Sequence, residues 1–263
     1  MTRLLAGFLA ALAGAAAVGA GEQSARYRGE GEAIRLFDQY DNDGYSLAVL
    51  PARGGAVELV VTVSDAPLES RAPFPTGLAR DPTLAPAPDR DAFVDRHVRG
   101  ATTEAAAVER LLAGLASDVR YDPDRVRRQD PAAVFREKRA NCVGLAELAV
   151  DLLRRASIRA RTVQGILRGA SGSPSYDPAV GGAYHRWIEI HYPDRGFVFS
   201  DPSASINGVD ARYLPFGKRA YVRPRKLRVT PLSSRGDLGY STVRAGRVDL
   251  RVRVSREPGA GSR

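Results

Sequence analysis

The stretch Arg139-Ala140-Asn141-Cys142-Val143-Gly144 runs directly into an apolar series at Leu145, Leu148, Ala149, Leu152 and Leu153. That spacing gathers the series on one face of a helix. Asn is a favoured N-cap, because its side-chain oxygen accepts from the free backbone N–H groups of the first turn. Asn141 therefore predicts that Cys142 lies in that turn. The helix dipole and the unpaired N–H groups there favour a thiolate and lower the thiol pKa. Cys142 is the single cysteine of the 263 residues. An intramolecular disulfide is excluded, and so is a zinc knuckle, for lack of a second thiolate. A buried, inert cysteine is the plainer reading of such a residue taken alone.

Upstream, Val108, Leu111, Leu112, Leu115 and Val119 form a second helical face, with Thr102 or Thr103 as its cap and Asp122-Pro123 as its end. Before it, Pro73, Pro75, Pro82, Pro86 and Pro88 mark a connector without helix or sheet interior. Earlier still, Ile34-Arg35-Leu36, Tyr45 to Leu50 and Val57 to Val63 read as strands. Asp41-Asn42-Asp43-Gly44 joins the first two as a hairpin turn. It fails as a calcium loop, with Gln39 and Leu50 at two ligand positions.

Downstream, strands are expected over Arg161–Leu167, Tyr184–Tyr192, Phe197–Ser200, Leu227–Val229 and Val248–Val254. On Tyr184–Tyr192 the period of two puts His185, Trp187, Glu189 and His191 on one side, Ile188 and Ile190 on the other. His185 and His191 are too far apart to serve one thiol together. The third histidine, His97, precedes the helical core. Asp201-Pro202 closes the next strand. An Asp at that end can accept from an imidazole N–H and fix its tautomer, although a turn Asp before Pro is common. Register decides which. A regular two-residue loop pairing Pro193 with Gly196 puts Asp201 opposite Ile188, on the wrong face. One extra residue puts it opposite Trp187, as the diagonal neighbour of His185. An irregularity between Pro193 and Gly196 is therefore expected, and Gly196 tolerates the positive φ it needs.

Cys at a helix start, His-x-Trp on a strand and Asp-Pro-Ser after the next strand together resemble the transglutaminase-like superfamily of papain-like cysteine enzymes. Tyr121-Asp122-Pro123 is similar to the stretch before that family's nucleophile. Ile158 to Gly165 resembles its segment after the nucleophile helix. His185-Arg186-Trp187-Ile188-Glu189-Ile190 and Phe199-Ser200-Asp201-Pro202-Ser203 resemble its His and Asp motifs. The resemblance covers residues 90–215. Ala140 stands where the family usually has Gly, and Val143 where many members have an aromatic or acidic residue. The resemblance implies Cys142 as nucleophile on an amide carbonyl, His185 as its base and then acid, and Asp201 as the orienter of His185. It implies an oxyanion site using the Cys142 N–H, with Gln129 a candidate second donor. It implies protein or peptide substrates and no cofactor or metal. Water as acceptor gives a peptidase or amidase; an amine gives a transglutaminase. A non-catalytic binding module on the same fold is the competing reading.

The remaining features bound the setting. Arg3 followed by the apolar run Leu4–Ala17 and the small-residue site Val18-Gly19-Ala20 is read as a cleaved export signal, too short to span a bilayer comfortably. A secreted or periplasmic chain without stable membrane insertion follows. Hydrophobic residues at 44% and charged residues at 26% exclude whole-chain disorder. The net charge of +9 invites a nucleic-acid reading. No basic helix or aromatic-basic motif accompanies it, so no nucleic acid partner is expected. The order of helices followed by antiparallel strands argues for α+β. The expected organisation is a signal peptide (1–20), a small β unit (21–70), a proline-rich connector (71–90), a transglutaminase-like domain (91–222), C-terminal strands (223–256) and a disordered tail (257–263).

Overall fold

The computed structural model describes residues 21–253 except 76, 78–80, 125–127, 218–223, 237–247 and 249. The expected signal peptide and tail lie outside the described residues. The chain begins with β1 (Glu22–Gly31), a short helix α1 (Ala33–Leu36), β2 (Tyr40–Asn42), β3 (Tyr45–Pro51) and β4 (Val57–Ser64). Helices α2 (Pro88–Val98) and α3 (Glu104–Asp118), strand β5 (Arg120–Tyr121), helix α4 (Pro131–Glu137), strand β6 (Arg139–Ala140) and helix α5 (Cys142–Arg155) follow. Then come β7 (Ala160–Arg168), β8 (Tyr176–Asp177), β9 (Gly182–Tyr192), β10 (Gly196–Ser200), β11 (Ser205–Ile206), β12 (Tyr213–Pro215), β13 (Leu227–Arg235) and β14 (Arg251–Val252). One antiparallel sheet has the order β13-β1-β4-β3-β2, and a second the order β10-β9-β7-β12 with β8 added to β9. The architecture is α+β, with the helices on one face of the second sheet and the N-terminal strand unit on the other.

Three of the expected elements are corrected. Ile34-Arg35-Leu36 is helical. Ala33 and Leu36 are its buried pair, at helical spacing, while Ile34 is 59% exposed, so the apparent alternation buries nothing. The first strand lies earlier, where Ala25, Tyr27 and Gly29 face inward between Arg26, Arg28 and Glu30. The connector does not run to residue 90, because Pro88 opens α2 at a first-turn position, where a missing N–H costs nothing. Finally, Arg251–Val252 pairs in parallel with Ser205–Ile206, and so with neither large sheet.

The period of two on β9 builds three layers. Ile188, Ile190 and Tyr192 face α2, α3 and α5 and share a core with Val108, Leu111, Leu145 and Leu152. On the opposite face Trp187 joins Phe199 of β10 and Tyr213 of β12 against Tyr27, Tyr45, Leu59 and Val61 of the N-terminal sheet. That sheet is also fastened by hydroxyls. Tyr27, Tyr40 and Tyr45 donate to the backbone oxygens of Ala211 (2.9 Å), Phe216 (2.9 Å) and Tyr213 (2.6 Å). All three acceptors lie in or beside β12.

Gly165 is hemmed in by the strands on either side of β7. It sits opposite His185 in the β7–β9 ladder. A methyl group there would lie 2.2 Å from the Leu214 oxygen and 2.5 Å from the Trp187 ring. Gly165→Ala is expected to cost about 1–3 kcal/mol in denaturant unfolding, as overpacking does. Gly172→Ala, with no atom within 4 Å, is the neutral control.

Candidate active site

Cys142 occupies the first turn of α5. Asn141 caps that turn in extended backbone, its Oδ1 accepting from Val143 N (3.0 Å) and Gly144 N (3.3 Å). Gln129 Oε1 accepts from Asn141 N (3.2 Å), and its Nε2 donates to Arg128 O (3.4 Å). The end of Gln129 that meets the cysteine turn is therefore an acceptor, which suits a brace and not an oxyanion donor. A methyl on Gly144 would lie 2.3 Å from that Oε1 and 3.0 Å from the Ala140 methyl, so Gly144 makes the room that the brace and Ala140 use. Cys142 itself is only partly buried.

The β9–β10 ladder brings the other two residues to it. Gly196 pairs with Tyr192, and Ser200 with Ile188, across the three-residue loop Pro193-Asp194-Arg195. Gly196 has φ +77°, the left-handed residue that ends a three-residue hairpin loop as a bulge. The expected irregularity is present. Continued one step, this register sets Asp201 level with Trp187 and on the His185 face. The chain then leaves β10, as Asp201 bridges to Ser205. His185 Nε2 and Asp201 Oδ2 are 2.6 Å apart. The second ring nitrogen is left for Cys142, which is close enough for imidazole and thiol to shift each other's pKa.

The departure of β10 also bears on Arg186 of β9. His191 N donates to Arg159 O of the β7 side, so odd-numbered N–H groups of β9 face β7 and even-numbered ones face β10. With the ladder ending at Ser200, Arg186 N–H faces Cys142 and helps to lower the thiol pKa.

Asp201 is fully buried, and each of its oxygens has two donors. Oδ2 accepts from His185 Nε2 and from Tyr213 Oη (2.7 Å), and Oδ1 from Ser203 N (2.8 Å) and Ser203 Oγ (2.6 Å). Burial opposes the carboxylate, but His185 and these donors outweigh it and hold the pKa below the usual range. Burial likewise opposes the His185 cation, yet Asp201 and Cys142 raise its pKa to about 10. For Cys142, burial raises the pKa, while the His185 charge, its hydrogen bond and Arg186 N–H bring it below the ordinary thiol value. Both shifts favour thiolate beside imidazolium. Such a site can attack an acyl carbon and return a proton to a leaving group.

Sequence reasoning missed four contributors. Tyr213 and Ser203 bind Asp201, the Arg186 backbone helps to lower the Cys142 pKa, and Tyr121 lies near enough to Cys142 for the two to shift each other electrostatically. Only topology brings Tyr213 and Tyr121 there, although Ser203 lies within the Asp motif itself. The other histidines are elsewhere: His97 bonds Phe93 O within α2, and His191 packs on Phe197. Among the described residues no cluster of His, Cys, Asp or Glu could hold a metal, and no helix is long and apolar enough to cross a membrane.

Residues 91–202 match the transglutaminase-like superfamily. No curated protein matches the chain. Among solved structures, a candidate cysteine protease from Cytophaga hutchinsonii is 11% identical over 82% of this chain and 86% of its own, with a TM-score of 0.41. The periplasmic domain of TgpA from Pseudomonas aeruginosa is 20% identical over 56% of this chain and 54% of its own, with a TM-score of 0.35. A candidate protease from Parabacteroides distasonis is 13% identical over 68% of this chain and 39% of its own, with a TM-score of 0.34.

The crowding of donors around Asp201 predicts the effect of Asp201→Asn. Whichever way the new amide turns, its NH2 faces two donors. The variant is expected to lose about 2–4 kcal/mol of stability in urea unfolding. If it folds, any acyl-transfer activity should fall by roughly four orders of magnitude, as when the Asp of a serine triad is replaced by Asn.

Proposed function

We propose that this chain, placed in the transglutaminase-like superfamily by residues 91–202, is a cysteine-nucleophile enzyme acting on amide carbonyls of protein or peptide substrates. The observation that carries the reading is a cysteine at a helix N-terminus beside an imidazole whose far nitrogen meets a buried carboxylate at 2.6 Å. A binding module has no use for this arrangement. Buried ion pairs seldom stabilise a fold better than apolar side chains would, so their presence favours a chemical role.

In this reading the Cys142 thiolate attacks the carbonyl carbon, and the carbonyl electron pair moves onto oxygen. Cys142 N–H stabilises that oxyanion. Collapse breaks the C–N bond, and His185 Nδ1–H protonates the departing amine. The thioester is then attacked by water, which gives hydrolysis, or by a second amine, which gives transamidation. Neutral His185 takes the proton of that nucleophile, and collapse returns the thiolate and imidazolium. Asp201 keeps Nε2 protonated and the ring in place throughout.

The export signal extends the proposal to a setting outside the cytoplasm. Cleavage after Ala20 would leave β1, which starts at Glu22, whole.

The first test is alkylation of the purified chain by iodoacetamide at about pH 6. The lowered thiol pKa and the imidazolium pKa raised to about 10 both favour the ion pair, which is lost above about pH 10 as His185 gives up its proton. Cys142 is expected to alkylate readily at pH 6, and His185→Ala to slow it by about 10- to 100-fold, as the thiol returns toward its ordinary pKa. Equal rates in the two proteins would contradict the reading. Incubation with a mixed protein extract and a labelled primary amine then separates the two fates of the thioester. Label joined to protein reports transfer, and new termini without label report hydrolysis.

A further inference from the structure

Asp201 Oδ2 takes two donors, and only one of them belongs to the Cys142–His185–Asp201 group. His185 Nε2 reaches it at 2.6 Å and Tyr213 Oη at 2.7 Å, with all three residues buried. A carboxylate can only accept, so the Tyr213 O–H is the donor. Its hydrogen converges on the same oxygen as the Nε2–H of His185, and the two rings meet edge to face with centroids 6.0 Å apart. Tyr213 is held from several sides. It pairs with Leu167 of β7, its carbonyl accepts from Tyr45 Oη (2.6 Å), and its ring stands edge-on to Trp187. The other carboxylate oxygen, Oδ1, accepts from Ser203 N and Oγ. Each hydrogen bond to a charged group stabilises that charge and weakens its pull on other partners.

The geometry points to Tyr213 as a positioning residue that divides the charge of Asp201 Oδ2 and thereby keeps His185 from holding its proton too tightly. The inference rests on the acyl-transfer reading above and concerns its second half. In the thioester the sulfur carries no charge, and Asp201 is the anion that remains against the imidazole. His185 must then be neutral at Nδ1. The water or amine bonds to the thioester carbon, its proton passes to Nδ1, and collapse breaks the C–S bond to return the thiolate. An undivided charge on Oδ2 would favour the imidazolium and leave less of the base. The Tyr213 O–H opposes this without ionising, because burial, followed by Asp201 and Asp210, raises its pKa well above the ordinary phenol value. The other ionisable groups around these contacts are Cys142 of α5, Tyr121 of β5 and the buried Asp210–Arg212 pair beside Tyr213. From the N-terminal sheet, Tyr27 and Tyr45 give their hydroxyls to backbone oxygens. Among the described residues, none of these bonds to Oδ2.

The proton affinity of His185 is read by NMR titration of its ring protons in Cys142→Ala, which removes the sulfur charge as the thioester does. His185→Gln in the same background identifies its signal among the three histidines. Tyr213→Phe is expected to raise the His185 pKa by roughly one unit, the scale of one hydrogen bond to a charged group. Ser203→Ala takes a donor from Oδ1 instead and is expected to raise it much less. An unchanged or lowered pKa in Tyr213→Phe, or an equal rise in Ser203→Ala, would overturn the assignment. If Tyr213→Phe does not fold, 3,5-difluorotyrosine in place of Tyr213 keeps the ring and is a stronger donor. It is expected to lower the pKa, and no change or a rise would overturn the assignment. With Cys142 restored, the acetyl-enzyme formed from p-nitrophenyl acetate gives the catalytic readout. Its hydrolysis should rise with pH about one unit later in Tyr213→Phe than in the wild type. Coinciding profiles would overturn the role in catalysis. A wild-type chain that acetylates no faster than Cys142→Ala would overturn the reading on which the inference rests, a failure the titration does not share.

Discussion

The buried carboxylate of Asp201 is the constraint on which the other features depend. A charge in the interior is tolerable only when its hydrogen bonds are all made. Here two donors come from Ser203, one from Tyr213 and one from His185. Each fixes a different part of the fold. Ser203 sets the turn that ends β10, Tyr213 ties in β12, and His185 ties in β9. The turn in turn shortens β10 and leaves Arg186 N–H to Cys142. The electrostatics of the nucleophile are in this sense set by where one strand stops.

The N-terminal sheet gains a role from the same constraint. It contributes no side chain to the Cys142–His185–Asp201 group. Its three tyrosine hydroxyls grip the backbone of residues 211–216, and the ring of Tyr213 projects from that segment to Asp201. Trp187, two residues from His185, is fully buried between the sheets, edge-on to Phe199 and Tyr213. The sheet therefore acts as a backing plate for the strands that carry His and Asp. Such support matters because a catalytic group misplaced by a fraction of an ångström loses much of its effect.

Much of this was legible in the sequence, for local reasons. The Asn141 cap and the apolar spacing from Leu145 are properties of one helix, and they placed Cys142 correctly in its first turn. The register of β9 and β10 followed from a parity argument, since only one of two loop lengths puts His185 and Asp201 on one face. Local pattern failed where burial was not local. Ile34-Arg35-Leu36 alternates like a strand but is a turn of helix, because the buried pair is Ala33 and Leu36. The true first strand was hidden by Arg26, Arg28 and Glu30, exposed or half-buried on the outer face of β1. Tyr213 stayed silent because nothing near it in the chain signals a carboxylate, and Tyr121 stood out only within a motif that gives its hydroxyl no role. Their roles arise only from the pairing of β12 with β7 and of β5 with β6.

The central claim is that Cys142 rests as a thiolate paired with the His185 imidazolium. The most direct measurement is the ultraviolet absorbance of the thiolate as a function of pH, taken as the difference between the wild-type chain and Cys142→Ala. The account predicts a thiolate signal already complete at neutral pH, with a midpoint well below the ordinary thiol value of about 8.5. A midpoint at or above that value would show a neutral, buried cysteine and would contradict the account.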